Sequence, residues 1–248
     1  MTTATTAFRP FHAWDRNFFL AFVAICWLGV IMGFAPAVSG RLQGQADYPA
    51  PLFLHIHAAA FVGWLVLLTS QATLIRVGRV STHQAMGRIG VALVPVMVVT
   101  ALVSEVYSQR FYADRDPENL KFFIIPLYYV VAFGVLASAA LLKRRDPPAH
   151  KRLILLATAV IVGAAYARWW GESLAAVAGD GFWGKIVETY TAANLIILLA
   201  LAYDAATRRR LHPVYLVAVP ALIAAELAVS FVYHLPGWPV LARRLIGL

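Results

Sequence analysis

Seven stretches of roughly twenty residues, each nearly free of charge, divide this chain, and no other feature restricts its fold so severely. They lie near residues 17–37, 52–75, 84–106, 121–142, 150–170, 186–204 and 213–234. A helix of about 20 apolar residues spans the hydrocarbon of a bilayer. A water-soluble domain carries about a quarter of its residues charged; here 13% are charged and 61% are hydrophobic. The expectation is an all-α polytopic membrane bundle of about seven transmembrane helices, forming one domain over residues 1–248. The alternating pattern of a barrel strand is absent from the sequence. The first apolar run is too long for a signal-peptide core and lacks a small-residue cleavage site after it, so it reads as a helix that stays.

The segments between the runs carry helix punctuation. "GRLQGQADYPAP" and "RDPENLK" break the chain with Gly and Pro. Asp146, followed by Pro147 and Pro148, has the form of an N-cap with a rigid entry. Ser81 with Gln84 has the spacing of a capping box. Gly63 beside Trp64, and Gly163 in "VGAAYAR", suggest faces where helices pack closely. The single cysteine, Cys26, lies within the first run and reads as packing, since it can form no internal disulfide.

Direction follows from the bases. Arg9, Arg16, Arg76, Arg79, Arg88, Lys143, Arg144, Arg145, Lys151, Arg152, Arg208, Arg209 and Arg210 fall on one side, 13 of the 21 Lys and Arg. Asp15, Asp146 and Asp204 share that side, while nearly all other acids lie opposite. Basic loops stay in the cytoplasm. The chain therefore reads as an inner-membrane multi-pass protein with its N-terminus inside and its C-terminus outside. Trp169, Trp170, Trp183 and Trp238 stand at span ends, as interfacial aromatics do. A net charge of +9 would suggest nucleic acid in a soluble protein, but here it belongs to membrane topology and no binding motif accompanies it.

Each inner turn carries a histidine: His83 in "RVSTHQAMGRIG", His150 in "RRDPPAHKRLIL" and His212 in "TRRRLHPVYLVA". They recur about 65 residues apart, either as a loose internal repeat or because short inner loops are simply basic. Histidines facing each other across a gap between helices can ligate haem iron. His83 and His150 are the candidate pair, with His212 in reserve and Arg88 and Arg152 placed to meet carboxylates. The same arginines would equally suit a lipid headgroup, a quinone headgroup or an anionic substrate, and solvated headgroup-zone histidines need no ligand at all. Arg88 lies more than one turn inside its span and needs a partner or a route to the surface; Asp204 is the nearest inner acid in the sequence reading.

With these motifs in place, the segment from about residue 52 to 170 resembles an uncharacterised family of bacterial multi-pass membrane proteins. The resemblance is carried by "LHIHAAAFVGW" with His57, "HQAMGRIG" with His83, Gly87 and Arg88, and "HKRLILLATAVIVGAAYAR" with His150, Arg152 and Arg168. "HQAMGR" departs from that family's aromatic or leucine pattern, and the resemblance implies no activity. The chain is also similar, more faintly, to ascorbate-linked transmembrane cytochromes b, which hold haem between histidines on successive spans. That similarity implies at most one haem b, at the inner face, because the fourth span has no histidine to meet His57.

A second constellation gathers toward the outer side: His57, Arg168, Glu188, Glu226 and His234, with Glu105, Glu172 and Asn194 nearby. Glu226 lies well inside a span, where a bare carboxylate is costly; it is expected to be neutral or to face His57 or Arg168. His55 and His57 are two residues apart, so only one of them can face the bundle. Three functional classes follow: a b-type haem- or quinone-linked redox protein using the inner histidines, a small transporter or sensor built around Glu226, or a metal-dependent membrane hydrolase using the outer cluster. A retinal pigment is disfavoured, because the last two spans contain no lysine within the membrane. The bilayer is the one partner composition requires; a quinone or a redox protein would be a second.

Overall fold

The computed structural model describes residue 8 and residues 11–46, 49–116 and 118–248; Arg9, counted above among the inner bases, lies outside them. Among the described residues every regular element is helical: α1 (Asp15–Leu42), α2 (Leu52–Arg76), α3 (Val80–Tyr112), α4 (Asn119–Phe122), α5 (Ile124–Leu142), α6 (Pro147–Ala178), α7 (Phe182–Arg208), α8 (Pro213–Tyr233) and α9 (Trp238–Leu245). Seven of the segments are long and apolar enough to cross a bilayer, with α4 and α5 together making one span. The protein is an integral membrane protein built as an all-α bundle.

The spans run several residues past the apolar windows at α1, α3, α6 and α7, because backbone hydrogen bonding continues through the charged ends. Asp146 caps α6, its carboxylate accepting from the Ala149 N–H at 3.3 Å. The capping box expected from Ser81 and Gln84 does not form: α3 begins at Val80, so both residues already lie inside the helix, and no side chain caps its first turn. Trp169 and Trp183 are exposed at span ends, but Trp238 is buried. It stacks on Phe123 and donates its indole N–H to the Lys121 carbonyl at 3.1 Å, fastening α9 to α4. The run after residue 234 is therefore a packed amphipathic helix, which the sequence reading did not anticipate.

Helix α6 is the axis of the bundle. It is the most buried span and packs against α1, α5, α7 and α8. Small residues permit the approach. At Gly33 an added methyl would stand 2.1 Å from the Ala165 carbonyl oxygen, and at Gly29 2.3 Å from the Tyr166 ring. Gly29 and Gly33 form a G-x-x-x-G pair, the spacing that brings two membrane helices into backbone contact. Gly163 meets Ala193 of α7 in the same way, as its sequence suggested, whereas Gly63 faces open space and makes no such contact. Polar bonds between spans supplement the packing: Trp64 to Thr158 at 3.1 Å, Trp27 to Thr69 at 3.0 Å and Tyr166 to the Ile25 carbonyl at 2.8 Å. The α2–α3 hairpin rests mainly on α1 and α5. A gap is left between it and α6 at the end of the bundle where the basic loops gather.

Candidate functional site at the basic end

The gap is a cavity of two lobes. The larger, about 640 Å³, lies between α2, α3 and the start of α6, over a floor of Trp64, Leu67 and Ile154. The smaller, about 250 Å³, reaches toward α1 and is walled by Phe11, Phe19, Ala72 and Ile75. Gln71, His83, Gln84, Arg144 and His150 border both lobes, so the two histidines stand where the lobes adjoin. Small-molecule sites usually have volumes of about 300–1,000 Å³ and mostly apolar walls with a few converging polar groups.

His83 and His150 come from different helices and lie within electrostatic reach of one another. The His150 Nδ1 is 2.8 Å from the Ala140 carbonyl oxygen. A carbonyl only accepts, so that nitrogen donates, which in the neutral tautomer puts the lone pair on Nε2. A bond from the far ring nitrogen to a carbonyl is the kind that orients an imidazole for metal ligation. His83 Nδ1 and Gln71 Nε2 are both buried without a hydrogen-bond partner. Both atoms are buried in the packing between helices and do not face the open volume; His57 Nδ1, Ser104 Oγ and the Tyr190 hydroxyl are in the same state away from the cavity. The larger lobe is bordered by Arg88, Arg144 and Arg145, and no carboxylate lines it among the described residues.

Two inner candidates lie elsewhere. His212 caps α8, its Nδ1 accepting from the Val214 N–H at 3.2 Å, and its ring meets Phe8 edge-on. Arg152 is 2% exposed and forms a two-pronged bond to Asp204, Nε to Oδ2 and Nη2 to Oδ1, each 2.6 Å. Its remaining nitrogen donates to the Pro148 carbonyl at 2.7 Å. Asp204 therefore answers Arg152, with Arg208 at 3.3 Å, and not Arg88 as the sequence suggested. Arg88 is exposed at the cavity rim and has no ion-pair partner among the described residues.

Sequence reasoning missed the rest of this ionic network. Arg208 holds both oxygens of Asp15 at 2.8 Å, Lys151 reaches Asp15 at 2.7 Å, and the Tyr203 hydroxyl donates to it at 2.6 Å. The network ties α1, α6 and α7 together behind the cavity. Its signal, an acid opening the first span among inner bases, was present in the sequence but had no partner assigned.

Among the outer candidates, His57 and Glu105 lie within electrostatic reach of Arg168, while Glu226, Glu188 and His234 have hydrogen-bond partners of their own. Glu226 is 2% exposed and accepts from the Tyr128 hydroxyl at 3.1 Å and from Asn194 at 2.8 Å. Neither His57 nor Arg168 is its hydrogen-bond or ion-pair partner among the described residues; neutral donors on α5 and α7 reach it instead. Glu188 pairs with Lys185 at 2.7 Å on its own helix. His234 bonds the Ser230 carbonyl at 2.7 Å and caps the end of α8. Arg168 donates to the Ala164 carbonyl at 3.0 Å and lies over the Phe34 ring. His57 is half-buried against Phe61, while His55 is exposed, as their spacing required. Among the described residues no three His, Cys, Asp or Glu side chains are placed to hold a metal.

The fold and cavity define a seven-span membrane protein with a ligand-sized chamber at its basic end. No family model, curated protein or solved structure matches the chain, so its function is argued from its own residues.

Proposed function

We propose that this is an inner-membrane redox protein of the b-type cytochrome class, with haem iron held between His83 and His150. The observation that carries the reading is the placement of these two imidazoles, from α3 and α6, at the junction of one cavity, with His150 already oriented through its Nδ1. The lining of the larger lobe fits the group: among the described residues it joins an apolar floor to arginines without carboxylates, which suits a flat macrocycle with two acidic side chains. Every residue lining that lobe falls between Trp64 and Ile154. His83, His150, Arg88, Arg144 and Arg145 are the residues that would hold the cofactor; when bound, its iron supplies one-electron transfer. His212 and Arg152 are left out of the set.

The test is the visible spectrum of protein purified in mild detergent after expression with ample haem. The expected result is a Soret band with α and β bands that sharpen on dithionite reduction and are lost in His83→Ala and His150→Ala but kept in His212→Ala. A colourless wild-type protein overturns the reading. A second reading, a transporter or sensor centred on Glu226, is favoured by the depth of that acid and its lack of a basic partner among the described residues.

A further inference from the structure

The smaller lobe gathers cations from four separate segments. Arg16 opens α1, Arg76 closes α2, Arg144 stands in the turn between α5 and α6, and Lys151 lies near the start of α6. Among the described residues lining the lobe the one acid is Asp15. Asp15 is buried, and its carboxylate is already taken by Arg208, Lys151 and the Tyr203 hydroxyl. The arginines have no such match among the described residues. Arg16 has no ion-pair partner there, Arg76 donates to the Arg16 carbonyl at 3.2 Å and to Asn17 Oδ1 at 2.5 Å, and Arg144 donates to the Leu141 carbonyl at 3.3 Å. Three guanidinium groups thus border the lobe with only neutral oxygens to meet them.

The polarity of the lobe is graded along the bundle. On α2, Ile75, Ala72 and Leu68 lead inward from Arg76, and at 1.5 Å per residue Leu68 lies about 12 Å deeper. On α1 and α6, Phe19 and Ile154 each stand about one turn inward of Arg16 and Lys151. Lys151 lies over the wall itself, 5.6 Å from the Phe11 ring centroid and 5.7 Å from that of Phe19. Gln71, His83 and Gln84 are on the side shared with the larger lobe. Each of these three helices therefore carries a cation at its end and an apolar face below it, at the depth where headgroups give way to acyl chains.

We propose that the smaller lobe is a site for one anionic phospholipid. Its phosphate is held by Arg16 and Arg76, with Arg144 at the border between the lobes, and the start of an acyl chain lies against Leu68, Ala72, Ile75 and Ile154. Guanidinium groups meet phosphate oxygens through paired N–H donors, and basic pockets between spans on the cytoplasmic side suit anionic headgroups. A bare phosphate would leave the apolar walls unused, and an uncharged amphiphile would leave the arginines unmatched. The site draws nothing from the redox reading; Arg144 is the one arginine that the two lobes share.

The experiment is native mass spectrometry of delipidated protein in an uncharged detergent, titrated with phosphatidylglycerol or with phosphatidylcholine of the same chains. The first phosphatidylglycerol should bind about tenfold more tightly than the first phosphatidylcholine. Arg16→Gln should weaken that first binding by about tenfold, the size of one charge-assisted bond. Arg88 borders only the larger lobe, so Arg88→Gln, the same change of charge at the same end, should leave it unaltered. Ala72 borders only the smaller lobe, so Ala72→Phe should exclude the chain with no change of charge. Dialysis against labelled inorganic phosphate separates the two sources of the anion: phosphate bound as tightly as the lipid would make this a soluble-anion site and overturn the proposal. Equal affinity for the two lipids, equal loss in Arg16→Gln and Arg88→Gln, or a first lipid that survives both Arg16→Gln and Ala72→Phe overturns it as well. A haem spectrum without selective lipid binding overturns this site alone; selective binding by a colourless protein, sensitive to Arg16→Gln and Ala72→Phe, supports the lobe and overturns the haem.

Discussion

Removing the Asp204 carboxylate is the sharpest perturbation of the fold behind the cavity. In Asp204→Ala, Arg208 retains both oxygens of Asp15, while Arg152 loses its carboxylate and keeps the Pro148 carbonyl and the face of the Phe8 ring. Arg152 and Asp204 are each 2% exposed, so the stranded guanidinium has little access to water. Breaking a buried pair from one side costs about 3–5 kcal/mol, whereas replacing both partners with apolar groups is often neutral. For a chain of this size, about 2 °C accompanies each kcal/mol, so the single variant should unfold about 6–10 °C lower. Arg152→Met with Asp204→Leu should return to within about 2 °C of the wild type. The chain supplies its own probe: Cys26 is its only cysteine and is 0% exposed, so a fluorogenic maleimide reports unfolding. If Asp204→Ala melts with the wild type, or the double variant is worse than the single, the pair is not the buried lock described here.

Gly33→Ala should destabilise the protein by about 1–3 kcal/mol, read by the same thiol assay, because its methyl would strike the Ala165 carbonyl of α6; Gly63→Ala, in open space, should be silent. Glu226→Gln should stay within about 1 kcal/mol of the wild type, since an amide can still meet both Tyr128 and Asn194, while Glu226→Leu leaves the buried Tyr128 hydroxyl and the half-buried Asn194 amide unpaired and should lose about 1–3 kcal/mol. At His212, burial and then the nearby Arg152 hold the imidazole below its ordinary pKa. The unfolded chain therefore takes up the proton first, and stability should fall as pH drops below about 6.5. His212→Asn keeps a capping acceptor and should flatten that part of the pH profile, which thermal melts between pH 7 and 5 would show.

The seven spans were legible because a run of about twenty uncharged apolar residues has few alternatives in a membrane. Asp146 was legible because its cap is local, completed within three residues. What escaped was orientation about each helix axis. His150 and Arg152 are adjacent in the motif, yet two residues along a helix turn about 200°. They face opposite sides of α6, one into the cavity and one toward Asp204 on α7. The spacing rule that separated His55 from His57 would have separated this pair too. The Gly29-x-x-x-Gly33 spacing was likewise in plain view, but a glycine pair declares a contact without naming the helix it meets. Asp15 found Arg208 across 193 residues, and no local pattern carries that information.

The division of labour on α6 bears on how the cavity could work. On one side, Arg152 and the small residues bind the helix to α1 and α7 through a paired charge and close backbone contact, while Lys151, paired with Asp15 of α1, borders the smaller lobe. On the other, His150 and Ile154 face open volume, and the α2–α3 hairpin opposite them is held mainly by α1 and α5. The α2 and α3 spans are also the least buried in the bundle. Local opening follows the elements with the fewest buried contacts, so the hairpin and not α6 should yield when a ligand enters. Amide exchange in detergent should then be faster in α2 and α3 near Gln71 and His83 than in α6 near Ile154. An occupied cavity should slow exchange in the hairpin and leave α6 unchanged. Uniform protection of both sides would mean that the chamber is rigid and that ligand entry does not depend on the hairpin.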